Sequence, residues 1–150
     1  MSISVVAPTS IPRLAARRND AAHSPGLHRA LVILACLAAM AAAFWWSGTL
    51  APSTIEADLA RLLRGMALLK GSIALAAVGV LLWRFGHPTP PRMAAAYIAG
   101  AALIAGASVL IWQLVHIPAA AIAFHVGEFT LLIAAWRDRD GVRAIRHASA

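Results

Sequence analysis

The sequence predicts an all-α membrane protein, an antiparallel bundle of four transmembrane helices with both termini in the cytoplasm. The first observation is composition: of 150 residues, 61% are hydrophobic and only 13% are charged, about half the charged fraction of an ordinary soluble domain. The second is the position of the charges, which lie mainly at the ends of long apolar runs. That position argues against a nucleic-acid partner for the net charge of +7. Cys36 is the single cysteine, so the chain cannot form an internal disulfide.

The first two spans are predicted at residues 28–48 and 65–85. A helix needs about 20 mainly apolar residues to cross the hydrocarbon core. No charge falls between Arg29 and Glu56, and Lys70 alone interrupts the second run. Before the second span, Ser53 and Glu56 have the spacing of a capping box, and the residues after them have apolar side chains at helical spacing. We therefore expect a short interfacial amphipathic segment that leads directly into the second helix.

The last two spans come from one apolar stretch, residues 93–136, in which Glu128 is the only charge. As a single helix this stretch would be about 66 Å long, twice the thickness of a hydrocarbon core of about 30 Å. It must therefore fold back once. Proline is well tolerated in the first turn of a helix and badly tolerated in the interior, so Pro118 marks the start of the fourth helix. The predicted helices are 93–114 and 118–136.

The chain thus divides into a flexible basic cytoplasmic tail (1–27), a transmembrane domain (28–136) and a C-terminal cytoplasmic tail (137–150). Three arginines of the first tail, Arg13, Arg17 and Arg18, are candidates for contact with anionic lipid. Each basic residue near such a surface contributes about 1 kcal/mol to binding.

The orientation follows from the basic residues, which are enriched in cytoplasmic loops. In a four-span arrangement ten of them lie on one side and three on the other. The ten are Arg13, Arg17, Arg18, Arg29, Arg84, Arg92, Arg137, Arg139, Arg143 and Arg146. All five tryptophans fall at predicted helix ends, where the membrane–water interface favours them. We therefore place both termini in the cytoplasm, and the arginine-rich, alanine-rich composition suggests a bacterial inner membrane, with an organelle membrane as the alternative.

Small residues at four-residue spacing predict close helix packing. Ala119, Ala123 and Gly127 share one face of the fourth helix. On the third helix Ala102 with Gly106, and Ala96 with Gly100, have the same spacing, and the second helix has Gly71 and Gly79. Membrane helices associate through such faces because the backbones can approach closely. The pattern leaves open whether the partner surface belongs to this chain or to another.

Three polar residues lie where lipid is expected. Glu128 is about 14 Å into the fourth span, near the bilayer midplane, and His125 precedes it by three residues, so the two side chains can touch. Lys70 lies in the second span and can extend towards Glu128 or towards the interface. In a simple ring of helices the second and fourth would be diagonal, and a Lys70–Glu128 contact would cross the interior. Ionisable residues at this depth are functional candidates.

Two functions remain open from the sequence, and a third is weaker. The first is a non-catalytic subunit or scaffold of a membrane complex, with a membrane protein partner or further copies of itself. The second is a small proton-coupled carrier or channel that uses Glu128 and His125, with Lys70 nearby. The third is haem or metal binding, for which the candidate histidine pairs are His116 with His125 and His28 with His87. The sequence has no His-Glu-x-x-His motif, no glycine-rich phosphate loop and no nucleophile elbow, so we expect no catalysis of the soluble type.

Overall fold

The computed structural model describes residues 25–48 and 55–148, with side chains for 26–48 and 55–139. Its four helices are α1 (Pro25–Gly48), α2 (Ala57–Arg84), α3 (Pro91–Trp112) and α4 (Ile117–Ala148). All four are long and apolar enough to cross a membrane, and the described part of the chain has no strand. The prediction of an all-helical protein with four potential spans is confirmed.

The helix bounds differ from the predicted ones at two places. α2 begins at Ala57, eight residues before the expected start at 65, because the amphipathic segment and the second span form one continuous helix. α4 continues beyond 136 to Ala148, through most of the predicted C-terminal tail. Glu56 directly precedes α2 rather than lying in its first turn, where a capping box would place it, and its side chain makes no capping hydrogen bond. Ser53, like Arg13, Arg17 and Arg18, lies outside the described residues.

The four helices do not form a simple ring, because α3 occupies the centre and packs against each of the other three. Over the described residues, no Cα atom of α4 comes within 8 Å of one in α1 or α2. Most of the buried residues of α3 are small, which lets neighbouring backbones come close. The small ones are Ala94, Gly100, Ala101, Ala105, Gly106, Ala107 and Ser108.

Two glycine contacts show how closely the backbones approach α3. A Cβ added at Gly127 of α4 would lie 2.8 Å from the carbonyl oxygen of Gly100 and 2.6 Å from a side-chain carbon of Ile104. A Cβ added at Gly106 would lie 3.3 Å from the carbonyl oxygen of Ala39 in α1. These small residues therefore pack within the chain, whereas Gly79 of α2 has no such neighbour within 4 Å.

Candidate functional site

The strongest polar contact joins the last turn of α2 to α4. The guanidinium of Arg84 donates from Nε to Oδ2 of Asp138 at 2.7 Å and from Nη2 to Oδ1 at 2.9 Å. The two side chains are only 19% and 14% exposed. The Tyr97 hydroxyl donates to the same carboxylate at 3.3 Å, and Arg84 also donates to the Thr89 hydroxyl at 3.0 Å. Asp138 thus connects α2, α3 and α4 through a paired, charge-assisted contact.

The start of α1 joins the same end of the bundle. Arg29 Nε donates to the carbonyl oxygen of Leu82 at 2.9 Å. The buried Phe85 ring lies between His28 and Tyr97, with ring centroids 5.6 Å and 6.2 Å away. We call the region of Arg29, Arg84, Tyr97 and Asp138 the Arg84 end.

Sequence reasoning missed the Arg84 end, since it gave Arg84 only a topological role and placed Asp138 in a solvated tail. One signal was available. The buried seam of α4 contains Ala120, Phe124, Gly127 and Ala134, and continuing its spacing of four and three residues arrives at Asp138. A carboxylate that falls on a buried seam needs a cationic partner.

A second contact joins the middle of α2 to the first part of α4. Lys70 Nζ lies 3.8 Å from the centroid of the Phe124 ring, within the range of a cation–π interaction. Lys70 precedes Arg84 by fourteen residues, and Phe124 precedes Asp138 by fourteen. Two contacts in the same order and at equal spacing show that α2 and α4 run in the same direction, about 21 Å of helix separating the contacts.

The predicted polar residues of α4, His125 and Glu128, form a pair on the side of the helix that faces away from α3. We call this side, with the exposed residues Phe129, Leu132 and Trp136, the outer flank of α4. His125 Nδ1 lies 3.0 Å from Glu128 Oε2, and the two side chains are 58% and 32% exposed. Glu128 lies ten residues, or about 15 Å, from Asp138, which is half the thickness of a hydrocarbon core. No ion pair joins Glu128 to Lys70 among the described residues. The structure therefore contains a His125–Glu128 pair and a separate lysine on Phe124, rather than one cluster of three.

The remaining histidines occupy different surroundings. His28 and His87 each pack against an aromatic ring, Phe85 and Trp83 respectively. His116 lies in the turn between α3 and α4, with a φ of 48°, and lines the groove between α1 and α4. Within the described ranges, no group of three or more histidine, cysteine or acidic side chains is placed to hold a metal ion.

Two apolar grooves open between the outer helices, with α3 as their floor. The groove between α1 and α4 has a volume of about 470 Å³ and is lined mainly by alanine and glycine, with Trp46 and His116 also at its wall. The groove between α1 and α2 has a volume of about 580 Å³, with Ser108 and Gln113 as polar lining residues. Both linings suit hydrocarbon, because they offer few polar groups that would fix the orientation of a hydrophilic ligand.

Comparison with protein-family models, curated proteins and solved structures gives no match to this chain. The polar groups of α2 and α4 are therefore the features from which a function can be inferred.

Proposed function

We propose that this small membrane protein is a non-catalytic subunit or scaffold of a membrane complex, and that it assembles through the outer flank of α4. The observation that carries the proposal is the exposure of the His125–Glu128 pair. Ionisable groups at mid-membrane depth face a protein interior or a water-filled cavity, because contact with lipid costs several kcal/mol. The flank that carries the pair is lined by apolar side chains such as Phe129 and Leu132. A second polypeptide on this flank would remove the pair from lipid.

The proposal includes an orientation, with neighbouring helices antiparallel and both termini in the cytoplasm of a bacterial inner membrane. The ten-to-three distribution of basic residues supports it. So does the Arg84 end, where Arg29 at the start of α1 meets the last turn of α2. Arg61 and Arg64 lie near the opposite end of α2.

The test is the native mass of the complex after extraction into lipid nanodiscs, for the wild-type chain and for Glu128→Gln. We expect the substitution to weaken assembly about tenfold, equivalent to about 1.4 kcal/mol, because polar contacts between membrane helices contribute about 1–2 kcal/mol. Glu56→Gln is the matched control, since it removes a carboxylate that lies just before α2. Assembly of both variants at wild-type strength would refute the role of Glu128.

A proton-coupled carrier or channel is the second candidate, and the hydrogen bond between two titratable groups in the middle of α4 favours it. A carboxylate and an imidazole in contact can exchange a proton. In this case Glu128→Gln would assemble normally and lose pH-driven flux in proteoliposomes. Haem binding by His116, His125, His28 or His87 is a weaker alternative, and an absorption spectrum of the same preparation tests it directly.

A further inference from the structure

We infer that the partner on the outer flank of α4 is a second copy of this chain, related by a two-fold axis along the membrane normal. In this dimer His125 of each protomer bonds Glu128 of the other. The inference builds on the proposed function and specifies its partner.

The His125–Glu128 pair is complementary to a second copy of itself. The outer flank of α4 carries an imidazole, from His125, and a carboxylate, from Glu128. An identical surface on a second chain therefore supplies a carboxylate for the imidazole and an imidazole for the carboxylate. Two-fold interfaces bring the same patch of both subunits together, with one residue contacting the other reciprocally. A different polypeptide would need to supply its own acid and base at this depth.

The difference in depth between His125 and Glu128 is small enough for a diagonal contact between two α4 helices. With the axis along the membrane normal, equivalent residues of the two α4 helices lie at equal depth. His125 and Glu128 are three residues apart, a difference of about 4.5 Å in depth. The side chains already span this offset inside one chain, where Nδ1 and Oε2 are 3.0 Å apart, so a diagonal contact of the same reach fits across the interface.

The two histidines and two glutamates of such a dimer can share their protons with no net charge. With one proton on each histidine and each glutamate, Nδ1–H donates to the chain's own carboxyl and Nε2 accepts the carboxyl proton of the other protomer. With both protons on each imidazole, Nδ1–H donates to the carboxylate of its own chain and Nε2–H donates to the carboxylate of the other protomer. In either arrangement four hydrogen bonds close a ring with no net charge, which suits a site within a bilayer.

The exposed face of α4 is continuous along the helix. His125, Phe129, Leu132 and Trp136 follow one another at spacings of four and three residues, and all are exposed. That spacing forms one side of a helix and is typical of a helix–helix interface. The outer face of α1 is also apolar, with exposed Leu27 and Leu34, but its central residues are uncharged, so lipid alone can cover it.

The test uses complementary substitutions. His125→Glu and Glu128→His are expressed separately and then together with different tags, and association is measured in nanodiscs. We expect each variant alone to lose at least about tenfold in self-association, and the mixed pair to recover to within about threefold of wild type. In the mixed pair, each contact between position 125 of one protomer and position 128 of the other again joins one glutamate and one histidine. Neither variant alone provides this, because its contacts join two glutamates or two histidines.

Asp58→Arg and Arg61→Asp provide the matched control. This pair also has a three-residue spacing, with a separation of 3.7 Å, and is more than 80% exposed near the start of α2. We expect these two variants, alone or together, to associate as the wild type does. If every His125 and Glu128 variant associated as strongly as the wild type, the proposed contact would be wrong.

A second measurement does not alter the polar pair. In a Cys36→Ser background treated with a membrane-permeant oxidant, Phe129→Cys is expected to form a disulfide between protomers, because equivalent residues on this face meet at equal depth. Leu34→Cys on the outer face of α1 is the control and is expected to form no disulfide between protomers. Cross-linking at 34 and not at 129 would overturn the interface.

Failure of this inference is distinguishable from failure of the proposed function. A chain that is monomeric alone, but joins a different polypeptide in a Glu128-dependent way, contradicts the dimer and keeps the subunit role. Assembly that is independent of Glu128 with every partner contradicts both.

Discussion

At the scale of single residues, two of the ion pairs among the described residues, Asp58–Arg61 and Arg84–Asp138, differ in the solvent around them. Asp58 and Arg61 are highly exposed and lie 3.7 Å apart, so water and salt screen their attraction. Asp138 and Arg84 are largely buried and share two hydrogen bonds. Removal of one partner from a buried pair leaves an uncompensated charge and is much more costly than removal from an exposed pair.

We therefore predict that Asp138→Asn lowers the free energy of unfolding by about 2 kcal/mol, whereas Asp58→Asn changes it by less than about 0.5 kcal/mol. Denaturant unfolding of the purified protein in mixed micelles measures both. In a double-substitution cycle, Arg84→Met combined with Asp138→Asn should cost less than the sum of the two single changes. Equal effects of Asp138→Asn and Asp58→Asn would show that the Arg84 end does not hold α2 to α4.

At the scale of helices, α3 organises the bundle because its small residues allow close approach on more than one side. Gly100 meets Gly127 of α4, and Gly106 meets Ala39 of α1. The backbones of α2 and α4 do not approach each other within 8 Å; the side-chain contacts of Lys70 and Arg84 join them.

Gly127→Ala tests this packing. We expect it to destabilise the bundle by about 1–3 kcal/mol, because the added methyl group would overlap the Gly100 carbonyl oxygen and Ile104. Gly79→Ala is the matched control: nothing lies within 4 Å of its added methyl group, so the better helix propensity of alanine should make it neutral or stabilising by up to about 1 kcal/mol. Thermal unfolding of both variants in the same lipid measures the difference. If Gly127→Ala were as stable as Gly79→Ala, the close contact at Gly127 would be wrong.

The sequence was sufficient to predict helix number, because charge-free runs of spanning length depend only on local composition. It did not predict which helix is central, since α3 and α1 are similarly apolar and only the fit of small residues between helices distinguishes them. For the polar residues, the contact of His125 with Glu128 could be predicted, because a three-residue spacing within one helix brings two side chains together. The partners of Lys70 and Asp138 depend on how α2 and α4 lie beside each other, which no local pattern contains.

At the scale of the whole molecule, charge and structure together bear on orientation. The side chains of Arg29, Arg84 and Asp138 gather at one end of the bundle. Asp58 lies in the first turn of α2 and His87 just after its last residue. Arg84, the last residue of α2, is 26 residues from Asp58, about 39 Å along the helix, and His87 lies three residues further along the chain. A hydrocarbon core of about 30 Å therefore separates positions 58 and 87 if α2 spans the membrane.

Labelling of single cysteines in intact cells tests this orientation. In a Cys36→Ser background, we expect Asp58→Cys to react with a membrane-impermeant thiol reagent added outside, and His87→Cys to react only after the membrane is permeabilised. The reason is the excess of arginine near residue 87 and both termini, which cytoplasmic segments carry. Leu75→Cys, in an exposed apolar position on the same helix, should stay unreactive under both conditions because a charged, water-soluble reagent does not enter hydrocarbon. The opposite labelling pattern would invert the orientation, and equal labelling of 58 and 87 from outside would show that α2 does not span the membrane.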